Sequence, residues 1–165
     1  MHYLKPGRLG VFDELALRGD RRWVSDRQFK AAWLFGIAVG LLLFSGHVPD
    51  LNAQQSWQTL LVAVLVSPII EELLFRGILQ GRLLRLDWGR KQLIGFTGAN
   101  LCCSLLFAAF HLFSHAPIWS IGVFFPSLLF GYFRDKHNSV YPSIALHIFY
   151  NAVYFLLPIV ISYSF

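Results

Sequence analysis

Three ionisable side chains, Glu71, Glu72 and Arg76, interrupt a run of the chain that is otherwise apolar enough to cross a bilayer. A charge at membrane depth costs at least a few kcal/mol, so such groups face a bundle interior, pair with one another and mark functional sites. At helical spacing Glu72 and Arg76 are four residues apart on one face, the acid N-terminal to the base, which is the favourable order for an ion pair. Glu71 points well away from Arg76, and no other Lys or Arg falls within the apolar stretch, so it is the spare carboxylate. Further along, His111 follows Phe107 by four residues, and His147 shares a face with Asn151. Such a set supports hydrolysis of an acyl bond. Glu71 can take a proton from water, His111 can orient that water, and His147 with Asn151 can donate hydrogen bonds to a tetrahedral oxyanion. A metal is the other use of Glu71, His111 and His147, as three ligands with an open position. The His-Glu-x-x-His zinc signature is absent, so zinc is the less favoured reading and no cofactor is expected.

These side chains need apolar helices to hold them, and the composition supplies them. The 165 residues are 56% hydrophobic and only 14% charged, with a mean hydropathy of +0.54, against about 25% charged in soluble domains. An all-α, polytopic transmembrane helix bundle in a single domain is expected over residues 1–165, with residues 31–165 as its membrane core. Cys102 and Cys103 are adjacent within an apolar run and fit small buried hydrophobes better than a disulfide or metal knuckle.

About five spans follow from the pattern. Residues 1–30 read as a cytoplasmic tail ending in an interfacial helix. Spans are then expected over residues 31–46, from about Trp57 through Arg85, over 93–113, over 118–133, and from Val140 to the C-terminus. Pro68 should kink the second of these and free a carbonyl before Glu71. Of the 14 Lys and Arg residues, seven fall in the tail, five between Arg76 and Lys91, and two between 134 and 138. The loops assigned to the opposite side have none. That asymmetry places the N-terminus in the cytoplasm and explains the net charge of +5 without a nucleic-acid partner.

Three motifs occur in order: Glu71-Glu72-x-x-x-Arg76, Phe107-x-x-x-His111 and His147-x-x-x-Asn151. Together with their flanks, Pro-Ile-Ile before the first and Gly-Tyr-Phe-Arg-Asp-Lys-His before the last, they resemble the CAAX protease and bacteriocin-processing family of intramembrane endopeptidases, also called Abi proteins. The resemblance implies a glutamate-dependent protease in which Glu71 is the base, His111 its partner on water, His147 and Asn151 the oxyanion site, and Glu72 with Arg76 a structural ion pair. It implies a multi-pass protein of a prokaryotic inner membrane. The substrate class it implies is a membrane-bound protein or peptide, whether a prenylated C-terminus, a leader peptide or a C-terminal sorting signal as in compact myxosortase-like members. The rival readings are a catalytically idle membrane module that holds a partner, as in immunity, and a proton or ion pathway.

Depth constrains this arrangement. Counted from Leu93, His111 would stand about 27 Å into the membrane, too deep to share a water with Glu71, about 15 Å from Gly81. The expectation is therefore that Gly95 and Gly98 keep residues 91–99 in an interfacial loop or short helix, that the third span is short, and that its outer turn is recessed.

Overall fold

The computed structural model describes residues 15–17, 21–44, 56–114 and 116–162. Most of the expected tail, the greater part of the loop before Trp57, and His115 lie outside the described residues. What is described is almost entirely helical. A 3-10 turn, Arg22–Ser25, leads into α1, Arg27–Phe44; a continuous helical stretch, α2, runs from Trp57 to Leu83; a short α3 covers Asp87–Arg90. A two-residue hairpin, β1 Gln92–Leu93 and β2 Phe96–Thr97, precedes α4, Gly98–His111. Then come α5, Pro117–Gly122, α6, Phe124–His137, and α7, Tyr141–Ser162.

Among the described residues α1, α2 and α7 are long and apolar enough to cross a membrane. The protein is an integral membrane protein built as an all-α bundle. The expected third and fourth spans are shorter than the first, second and fifth. α4 and α6 have 14 residues each, about 21 Å of helix against a hydrocarbon core of about 30 Å. The fourth is also broken, because α5 ends at Gly122 and α6 starts at Phe124.

The short third helix has a local cause. Ile94 (φ 52°) and Gly95 (φ 83°) both adopt the left-handed region and form the tight turn that folds residues 92–97 back as a hairpin. Thr97 then caps α4, its side chain accepting from the Asn100 backbone N–H. Residues 91–97 therefore stay out of the helix.

α7 is the hub of the bundle, packing on α1, α6 and the first half of α2. Phe29 and Ala32 of α1, Phe130 and Phe133 of α6 and Leu146 of α7 form a buried apolar cluster. The Tyr150 hydroxyl donates to the Ala32 carbonyl at 2.8 Å, and Trp33 stacks on Phe149 with centroids 4.1 Å apart.

Residues 134–138, which follow the expected fourth span of 118–133, continue its helix as the end of α6 and its cap. Asn138 closes the helix in the left-handed conformation (φ 47°, ψ 42°). The tail residue Asp26 reaches this end. Its Oδ2 meets Lys136 Nζ at 2.5 Å and His137 Nε2 at 2.8 Å, while Oδ1 accepts from the Gln28 N–H. Burial alone would raise this carboxyl, but the hydrogen bonds from Lys136, Gln28 and His137 outweigh it and hold the pKa down at about 2. A carboxyl held below its ordinary value of 3.8 adds stability that is complete above that value and is lost as pH falls through about 2. Asp26→Asn should therefore destabilise the protein by on the order of 2 kcal/mol near neutral pH. Thermal unfolding in detergent checks this: the gap between variant and parent should close as the pH is taken down to about 2. An equal gap at both ends of that range would contradict it.

Candidate active site

The second span does more than carry its charges at regular helical spacing. Two π-helical segments, Val62–Val66 and Leu73–Gln80, flank the α-helical Ser67–Glu72, and π turns within α-helices recur at functional sites. Glu72, Arg76 and Gln80 recur every four residues, and all three are fully buried.

Each member of this stripe meets a partner on a neighbouring helix. Arg76 Nη2 donates to the Ser127 carbonyl at 3.0 Å and to its Oγ at 2.7 Å. Gln80 Nε2 donates to the Gly131 carbonyl at 3.0 Å and to Asp135 Oδ1 at 2.8 Å. Ser127, Gly131 and Asp135 themselves recur every four residues on α6, so two polar stripes are zipped together. Gly131 permits the close approach: a Cβ there would sit 1.9 Å from Asn100 Oδ1 and 2.9 Å from Gln80 Oε1. Arg134 Nε closes the set by donating to the Arg76 carbonyl at 3.1 Å.

Glu72 holds two partners. Its Oε2 lies 3.3 Å from Arg76 Nε, the ion pair expected from the spacing, and its Oε1 is 2.8 Å from His147 Nδ1. It therefore does more than brace Arg76. A carboxylate next to an arginine accepts, so Nδ1 carries the proton and the imidazole is held with Nε2 turned to Glu71 Oε2, 3.8 Å away. Glu71 is the more accessible acid, its side chain 25% exposed against 0% for Glu72. Its Oε2 is buried and has no hydrogen-bond partner among the described residues.

Phe107 brings the second histidine to this group. Its ring lies 4.5 Å from His111 and 5.8 Å from His147 between centroids, and the Arg76 guanidinium carbon stands 4.7 Å over it. Its carbonyl accepts from His111 Nδ1 at 2.9 Å, which directs the neutral ring's lone pair to Nε2. Glu71 interacts electrostatically with both His147 and His111. α4 starts at Gly98 and carries His111 at its far end, one turn beyond the Phe107 ring that touches both histidines.

Asn151 is placed differently from an amide aimed at the histidines. Its Nδ2 donates to the Ala63 carbonyl at 2.9 Å, in the first π segment. Residues that the motifs did not single out are Gln80, Ser127, Arg134 and Asp135; for Gln80, Ser127 and Asp135 the signal was present in the four-residue recurrences Glu72-Arg76-Gln80 and Ser127-Gly131-Asp135. Cys103 is buried and its Sγ donates to the Phe75 carbonyl at 3.0 Å, the behaviour of a small packed residue.

No group of three or more His, Cys, Asp or Glu side chains that could hold a metal ion occurs among the described residues.

A helical membrane protein that closes two carboxylates, two imidazoles and a guanidinium into one interior cluster belongs to the membrane-embedded class in which polar groups gather for function. A family model, Rce1-like, described as type II CAAX prenyl endopeptidase, matches residues 53–153. The chain belongs to this family, and so to the intramembrane endopeptidases acting on membrane-associated proteins. Neither the curated proteins nor the solved structures contain a significant match.

Proposed function

We propose that this protein hydrolyses a peptide bond of a membrane-associated protein through a water activated by Glu71. The observation that carries the reading is the relay Arg76–Glu72–His147–Glu71, in which Glu72 grips one imidazole nitrogen at 2.8 Å and the other faces Glu71 at 3.8 Å. Glu72 and Arg76 hold the histidine, and Glu71, free of hydrogen bonds on Oε2 among the described residues, is the acid–base group.

In this reading a water sits between Glu71 and His111 Nε2, donating to both. Its oxygen bonds to the scissile carbonyl carbon as its proton passes to Glu71. The tetrahedral oxyanion accepts a hydrogen bond from His147 Nε2–H when that ring carries a proton on both nitrogens, its Nδ1–H remaining on Glu72. The C–N bond then breaks as Glu71 returns the proton to the leaving amine, and the carboxylate is restored. One water is consumed for each peptide bond cleaved, and the side chains end as they began. The tail side of α1 and the basic ends of α2 and α3 face the cytoplasm, in keeping with the distribution of Lys and Arg.

The test uses the purified protein in detergent with an internally quenched peptide ending in a prenylated CAAX-type sequence. Cleavage is expected, and it should survive exhaustive chelation with less than about a twofold change, since no step needs more than protein side chains and water. Activity that disappears on stripping and returns when one equivalent of zinc is restored would replace this mechanism with a metal-dependent one.

A further inference from the structure

The first π segment ends in an irregularity with a chemical cause. The Ser67 N–H bonds to the Val62 carbonyl five residues back, so the next N–H in that register, at position 68, belongs to the Ala63 carbonyl. Position 68 is proline and has no N–H. At membrane depth a carbonyl left bare finds no water, and such a group costs several kcal/mol unless a side chain takes it. Asn151 Nδ2 occupies that place, donating to Ala63 at 2.9 Å from the neighbouring α7. Asn151 and His147 are one turn apart on α7, while Ala63 is two turns before Glu71 on α2. The same face of α7 therefore grips the long helix at two points: His147 on Glu72 and Asn151 on the break created by Pro68.

We propose that Asn151 is a positioning residue: its amide substitutes for the hydrogen bond that Pro68 cannot make and so fixes the π turn that sets Glu71 against His147. The role for Glu71 rests on the function proposed above; the hydrogen-bond substitution does not.

If the amide serves by replacing a missing N–H, then supplying that N–H should make the amide dispensable. The experiment is a two-site cycle in detergent-solubilised full-length protein, with Asn151→Leu, Pro68→Ala and the double variant, read by hydrogen exchange of the backbone amides from Val64 to Leu73. Asn151→Leu should speed exchange there about tenfold, the loss of one buried hydrogen bond. Pro68→Ala alone should leave exchange close to the parent, and adding it to Asn151→Leu should restore the slow rate. Cleavage of the quenched prenylated peptide is read in parallel: kcat should fall in Asn151→Leu and recover in the double variant.

Unchanged exchange in Asn151→Leu, or exchange equally fast in the double variant, overturns the proposal. Exchange that recovers while kcat stays low also overturns it, because Asn151 would then act on the substrate itself, as an oxyanion donor. Should Asn151→Leu be lost to misfolding, recovery of folded double variant supports the proposal and its failure to fold counts against it. A parent protein that does not cleave the peptide refutes the proposed function, and the exchange cycle still decides the hydrogen-bond assignment.

Discussion

Glu71→Gln should lower peptide cleavage by on the order of 10²–10⁴-fold while leaving the protein folded. The amide keeps the shape of the side chain and removes the group that takes the proton from water. Folding should survive because Glu71 is partly exposed, its Oε2 makes no hydrogen bond among the described residues, and its contact with His147 is a long 3.8 Å. The measurement is initial rate on the quenched prenylated peptide beside a thermal unfolding curve in the same detergent. A variant retaining more than about a tenth of the parent rate would remove Glu71 from the role of base.

Glu72→Gln should do the reverse in kind, with stability falling first. Glu72 and Arg76 are both fully buried, and the guanidinium would lose its only carboxylate among the described residues while keeping Ser127 and the Phe107 face. Breaking one side of a buried pair leaves an uncompensated charge and costs about 3–5 kcal/mol, about 10 °C in melting temperature for a chain of this size. Removing both charges, as Glu72→Gln with Arg76→Met, should return much of that stability. Activity should not return with it, because His147 Nδ1 would have lost the carboxylate that holds it at 2.8 Å. Unfolding curves of the single and double variants, read with the cleavage assay, separate these effects. A Glu72→Gln protein as stable as the parent would show that the ion pair contributes no net stability.

The class of the protein was legible in its composition, because a bilayer demands long apolar helices and tolerates charge only where it is enclosed. The pairing of Glu72 with Arg76 was legible too, since four residues of helix place them on one face whatever surrounds them. The short third helix followed from a contradiction in depth, which Gly95 and Thr97 resolve through a left-handed turn and a helix cap.

Other features depend on what lies across the bundle, and periodicity along one helix carries no information about that. That Glu72 also grips His147, 75 residues away, follows from the way α7 crosses α2. The burial of Arg134 and Asp135, which a hydropathy reading assigns to a basic loop, comes from Gln80, Thr97 and the Arg76 carbonyl converging on them. Pro68 announced a broken hydrogen bond in the sequence; that Asn151 mends it is a matter of tertiary contact. Along one helix the spacing of side chains is set by covalent geometry, whereas the partner of a buried polar group is set by the packing of two helices, and here that packing encloses Glu72 completely and leaves Glu71 partly exposed.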